Sequence, residues 1–141
     1  MYLARPNEKY TSFSNEFIWR NDLSKPSKDL LQKILTYPPN FIIFQSEVAE
    51  RSGIKKQSLT KPMNELKENG FVIQIRAGNT EQNKPRFLTF ASDKPVFKQL
   101  PSEELYKITE KHRYSKLSNI ELGQEQIRLG KQLEKLLSVS L

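Results

Sequence analysis

The chain has 141 residues, 36% of them hydrophobic and 28% charged, with a formal charge of +7. That length favours one domain with a modest core, and the absence of cysteine excludes a disulfide framework, a thiolate nucleophile and cysteine-ligated zinc. The longest apolar run, Phe41-Ile42-Ile43-Phe44, is too short to span a bilayer, and the N-terminus has no signal-peptide core, so a cytoplasmic protein is expected.

The charge is focused. Residues 51–62 carry four bases (Arg51, Lys55, Lys56, Lys61) and no acid, and residues 74–98 carry five bases against two acids. The rest of the chain is close to neutral. A focused excess points to a polyanion partner, whereas a scattered one would serve solubility. A merely solvated basic face is the alternative.

Residues 1–14 are polar and irregular and read as an arm. Phe13, Phe17, Ile18 and Trp19 then cluster, which suits core packing better than stacking on bases. Residues 23–37 read as a first helix, capped by Asp22 or Ser24, with Pro26 in the first turn and Leu30, Leu31, Ile34 and Leu35 on one apolar face. Tyr37-Pro38-Pro39 ends it, since a residue before proline is pushed out of the helical region. Phe41–Phe44 reads as a short buried strand.

A second helix is expected from about Ser46, as N-cap, to Ser52, with Gly53 supplying a tight turn. A third runs from about Lys56 to Asn69, with Leu59, Met63 and Leu66 as its inner stripe and Asn69-Gly70 as its stop. Residues 71–76 and 86–91 read as two strands of a hairpin, joined by a long polar loop over residues 77–85. A proline-bearing linker follows at 92–101, then a charged helix at 102–112. A last helix covers about 117–138 and carries a seven-residue repeat with Leu122, Leu129, Leu133 and Leu136 in one stripe. Such a repeat implies pairing with another helix, in a homodimer, or folding back on its own domain.

Residues 45–67 carry the chemistry. Ala49 supplies a small residue where two helices would touch, Gly53 a residue tolerant of positive φ at the turn, and Val48, Ile54 and Leu59 the apolar positions between them. Pro62 stands where the pattern wants an apolar helix former. It either kinks the third helix or falls in the first turn of a helix that starts late. This spacing resembles the helix-turn-helix. The order helix, short strand, helix, turn, helix, strand, basic loop, strand resembles the winged-helix family. More narrowly, FIWRNDLSKPSKDLLQKIL followed by KPMNELKENGFV is similar to the N-terminal winged-helix domains of replication proteins from Gram-positive phages and plasmids, with Glu65-Leu66, Gly70 and Phe71 matching their closing run.

The resemblance implies an α+β winged helix over residues 15–98, with C-terminal helices at 99–141. It implies double-stranded DNA as partner, the third helix entering the major groove. Lys55, Lys56, Gln57, Ser58, Thr60, Lys61 and Asn64 would then face DNA. Lysines neutralise phosphates or reach guanine, and Gln57 and Asn64 can pair with adenine. Arg76, Asn79, Lys84 and Arg86 would act from the wing. The role implied is replication or its control; a transcription repressor and a protein-binding module are the alternatives. No enzyme, cofactor or metal is expected. Glu103-Glu104 is adjacent rather than facing, the glycines make no phosphate loop, and His112 sits between Lys111 and Arg113 as a solvated residue.

Overall fold

The computed structural model describes residues 19–140, with side chains to Ser138. The arm and Phe13, Phe17 and Ile18 lie outside the described residues. Trp19 lies inside them and is exposed, not packed. The described chain is an α+β winged helix: three helices, a two-stranded antiparallel hairpin, then two further helices.

Helix α1 spans Lys25–Ile34. Ser24 caps it, its Oγ accepting the Ser27 amide, and Pro26 stands in the first turn, where a missing N–H costs little. Its apolar stripe of Leu30, Leu31, Ile34 and Leu35 is buried, as the spacing predicts.

Phe41–Phe44 is not a strand. The run is extended, and Ile42 and Ile43 are buried, but it joins no ladder; the sheet has only two strands among the described residues. The reason is a side chain. Gln126, from the last helix, donates to the carbonyls of Pro39 (2.6 Å) and Phe41 (3.1 Å) and accepts the Thr89 amide (3.0 Å). It occupies Thr89 N and Phe41 O, two of the groups that a third strand beside β2 would use.

Helix α2 spans Gln45–Ser52. Phe44, not Ser46, is its N-cap, without a side-chain hydrogen bond. Gly53 follows at φ 70°, and the amides of Gly53 and Ile54 return to Glu50 O and Ala49 O, closing the helix in a left-handed turn that glycine adopts without strain. Val48 and Ala49 are buried, whereas Ile54, expected in the core, is turned outward past this cap.

The third helical stretch is in two parts. A 3₁₀ turn covers Lys56–Leu59, and helix α3 covers Thr60–Glu68. Pro62 is thus the third residue of α3, inside the first turn, where its nitrogen would have had no helical acceptor. The late start resolves the proline: the helix is neither kinked nor broken by it. Leu59, Met63 and Leu66 face inward, and Pro62 is itself buried.

Strand β1 (Val72–Asn79) pairs with β2 (Pro85–Ala91). The strands run further than the sequence implies, so the wing loop is only residues 80–84. It is closed by Thr80 N donating to Lys84 O (2.8 Å), with Asn83 at φ 62°. A register shift between Arg76 and Asn79 lets Gly78 donate to Arg113 O (3.1 Å).

The proline-bearing linker is built into the core. Its 3₁₀ turn, Val96–Gln99, buries Val96 and Phe97. Helix α4 spans Ser102–His112, as expected, and α5 spans Asn119–Ser140. The leucine stripe of α5 does not await a partner. Leu122, Leu129 and Leu133 are fully buried, with Leu137, in one cluster with Ile75, Leu88 and Phe90 of the hairpin, and Leu136 packs against its edge. Leu122, Leu129 and Leu133 thus pack within the chain itself, the folding-back alternative of the two that the repeat allows. Gly123 is part of this docking, because a Cβ there would come within 2.1 Å of Asn40 O. His112 is also buried, its ring between Ile108 O (2.8 Å) and Glu125 Oε1 (3.0 Å), so the expectation of a solvated histidine is corrected.

Candidate nucleic-acid interface

Helix α3 is gripped from one side only. The Ser24 amide donates to Glu65 Oε1 (2.6 Å), and Ser27 Oγ to Pro62 O (3.4 Å). That amide is the first cause of a Glu65 pKa below the ordinary carboxylate value. The inner stripe of Leu59, Met63 and Leu66 sits in one core cluster with Leu30, Leu31 and Ile34 of α1. The C-terminus is equally fixed: Phe71 N returns to Leu66 O (2.9 Å) and Gly70 N to Lys67 O (3.1 Å).

The opposite side of α3 is uncovered. Gln57, Thr60, Lys61 and Asn64 line one shallow hollow along it, with Glu65 and Glu68 at its border. Lys55, Lys56, Gln57 and Ser58 are exposed as well, but they belong to the turn and the 3₁₀ segment ahead of the helix. Thr60, Lys61 and Asn64 are the exposed members of the set that stand on α3 itself. No carboxylate pairs with Lys61 within ion-pair distance among the described residues.

The wing divides. Asn79 and Lys84 are exposed. Arg76 is half-buried and folded onto its own hairpin: it donates to Gly78 O and Asn79 Oδ1 and lies 5.8 Å from the Phe87 ring centre. Arg86 is 3% exposed. Its guanidinium donates to Ala77 O (3.2 Å), Ser115 O (3.2 Å), Leu117 O (2.6 Å) and Asn119 Oδ1 (3.2 Å). Burial lowers its pKa from the usual arginine value. The side chain ties the wing to the α4–α5 connection and is not available to DNA, which corrects the expectation from its place in a basic segment.

Two residues that composition did not single out belong beside the interface. Lys67 stands on the wing side of α3, where with Lys56, Lys84, Gln74, Phe44 and Phe87 it lines a groove between helix and hairpin. Burial lowers the Lys67 pKa. Glu68 borders the hollow of the reading side. The signal for Lys67 was present in the spacing, since it lies four residues after the buried Met63 and so on the flank of the inner stripe.

No protein-family model matches the chain, and no solved structure matches it. Curated relatives do. The chain is 28% identical to an "Uncharacterized HTH-type transcriptional regulator" of Bacillus cereus, over 87% of this chain and 91% of the relative. A protein of Bacillus thuringiensis subsp. konkukian with the same description is similar to the same extent. One of Bacillus anthracis is 27% identical over 80% of this chain and 86% of its own length. By its fold the chain is a winged helix-turn-helix protein, similar over most of its length to Bacillus proteins described as HTH-type transcriptional regulators.

Proposed function

We propose that the chain is a sequence-specific double-stranded-DNA-binding protein that regulates transcription, with α3 set into the major groove. The observation that carries this is the two-sidedness of α3. One side is locked to α1 by packing, Glu65 and Pro62. The other offers Thr60, Lys61 and Asn64, uncovered, behind a turn that presents Lys55, Lys56, Gln57 and Ser58. A rigid helix with an open polar face is what base-edge reading requires, because a donor displaced by an ångström loses its bond. Asn64 suits adenine, and Lys61 suits guanine or a phosphate. The descriptions of the Bacillus relatives favour regulation of transcription as the setting.

Selection of bound fragments from random duplex DNA, followed by gel shift on the selected site, tests the reading. Lys61→Glu with Asn64→Ala is expected to abolish selective binding while leaving the melting temperature unchanged. Full selective affinity in that variant would sink it.

A replication role is the second reading. It is favoured by one feature: Leu23-Ser24 and Glu65-Leu66, two parts of the resemblance to phage and plasmid replication proteins, meet in the structure through the Ser24–Glu65 hydrogen bond. Selected sites clustering at a replication origin rather than beside promoters would favour it.

A further inference from the structure

We infer that the corner where the wing meets the α4–α5 connection is a docking surface for a protein segment that carries a large apolar side chain beside a lysine or arginine. The inference goes beyond DNA binding and does not depend on it.

Seven large hydrophobic side chains are exposed among the described residues, and four of them gather at this corner: Phe41, Tyr114, Leu117 and Ile120. Tyr114, Leu117 and Ile120 line a hollow beside the wing tip, together with Glu81 and Glu121. Ile120 also lines a second hollow, of about 340 Å³, with Phe41, Phe44 and Glu47. Asn119 and Ile120 border both, so the two form one surface. Single apolar side chains on a surface need no explanation, whereas a contiguous set marks a contact.

The surface is open but held in place. Arg86 binds the carbonyls of Ser115 and Leu117 and the side-chain oxygen of Asn119. Ser118 and Glu121 cap the start of α5 reciprocally: the Ser118 amide donates to Glu121 Oε1 and the Glu121 amide to Ser118 Oγ, each at 3.2 Å. A preformed surface binds without first having to be ordered. Tyr114 and Ile120 are each 79% exposed, so the chain's own core makes little use of them.

Charge selects the occupant. The chain carries +7 overall, yet these hollows are edged by Glu47, Glu81 and Glu121, with Lys116 as the one cation at their surface. Arg86 lies beneath, buried on its carbonyls. None of the three carboxylates has an ion-pair partner among the described residues. An acidic rim repels phosphate, which disfavours nucleic acid and an anionic bilayer alike. Two copies related by a two-fold axis would set this rim against itself. A small molecule needs an enclosing pocket, and side chains this exposed do not enclose one. An apolar anchor flanked by a cation meets both parts of the surface. The anchor enters the hollow at Phe41, Phe44 and Ile120, and the cation reaches Glu47 or Glu121. Neither hollow shares a residue with the one along α3, so the docking surface stands apart from the reading side.

The test selects peptides from a displayed random library on the immobilised full chain, then titrates the synthesised peptides against the chain by calorimetry. The selected peptides are expected to share a large aliphatic or aromatic residue beside Lys or Arg. Tyr114→Ser with Ile120→Ser is expected to weaken their binding by about tenfold or more. Glu47→Gln with Glu121→Gln is expected to weaken it by about threefold and to flatten its salt dependence. Full peptide affinity in either variant overturns the inference, as does a selection that yields no peptide or a consensus without a basic residue. Self-association of the wild-type chain on sedimentation, lost in the serine variant, would assign the surface to a second copy and overturn it too. Fluorescence anisotropy with a mixed-sequence duplex is expected to show no difference between the serine variant and wild type; weaker duplex binding would place the patch on the DNA side and overturn it. Circular dichroism melting checks the fold of each variant, and the glutamine variant keeps every apolar contact.

Discussion

The amide of Thr89 on β2 ends on Gln126 Oε1 at 3.0 Å, not on a neighbouring strand. One helix side chain thereby replaces a ladder: Gln126 Nε2 donates to Pro39 O and Phe41 O, joining the hairpin to the segment before α2. Gln126→Met keeps the volume and removes every one of these bonds. A buried N–H left unsatisfied costs about 1–3 kcal/mol, while the two carbonyls sit at the partly exposed 39–41 corner and can recover water. The expected loss is about 2 kcal/mol. Urea unfolding checks it, with a lower midpoint at an unchanged slope. A loss below measurement would mean that the extended segment finds its own pairing with β2.

Arg86 and Lys84 make opposite predictions although they are two residues apart. Arg86→Met strips four acceptors of their donor and frees the wing from the α4–α5 connection, so a loss of about 2–4 kcal/mol in stability is expected. Lys84→Met touches an exposed side chain and is expected to leave thermal stability within about 0.5 kcal/mol. Denaturation curves of the two variants separate the structural arginine from the interface lysine. Equal stability in both would contradict the clamp.

What periodicity carries, the chain shows plainly. The stripes of α1 and α3, the turn at Gly53 and the stop at Asn69-Gly70 follow from spacing and from glycine's access to positive φ. Sequence spacing does not say what a stripe packs against. The leucines of α5 look the same whether they meet a second chain or their own hairpin, and only the position of Gln126 and Gly123 against residues 39–41 decides it. The burial of Arg86 is hidden from spacing for a related reason. A base in a basic segment reads as surface, and the carbonyls that hold it at Ser115 and Leu117 lie 29 and 31 positions further along the chain. Pro62 is ambiguous in the sequence because the 3₁₀ turn that delays α3 has no sequence mark beyond the proline itself. The spacing of Lys67 from Met63 puts it on the flank of α3, but its neighbours in the groove come from separate segments of the chain, which spacing does not show.

Acid sensitivity should centre on Glu125. Hydrogen bonds from Arg128, and secondarily from His112, pull its carboxyl down from 4.5 to about 2. The folded form therefore holds its charge where the unfolded chain would take up a proton. Stability from this group is fully present above about pH 4.5 and is lost as pH falls from there towards 2. Since solvent reaches Arg128 and part of Glu125, the contribution is of order 1 kcal/mol after screening. Thermal melts from about pH 6 down to about pH 2.5 should show a steeper decline for wild type than for Glu125→Gln. Parallel curves would show that the group does not contribute.

The Ser24–Glu65 bond places the reading helix, and its loss should be visible in binding more than in stability. Glu65 reaches from α3 towards α1, and its partner is a backbone amide at the start of α1. Glu65→Ala frees that amide at an exposed site, where water takes its place, so the stability cost is expected to stay at about 1 kcal/mol. The angle of α3 against α1 then rests on the Ser27–Pro62 contact at 3.4 Å and on packing alone. Base-edge hydrogen bonds tolerate little displacement, and phosphate contacts tolerate more, because they act as point charges. Glu65→Ala should therefore weaken binding to a selected site relative to mixed-sequence duplex. Removing a negative charge near DNA would by itself strengthen binding to both. The ratio of the two affinities is thus the measurement that decides, and an unchanged ratio would show that α3 is held by its core stripe without help from Glu65.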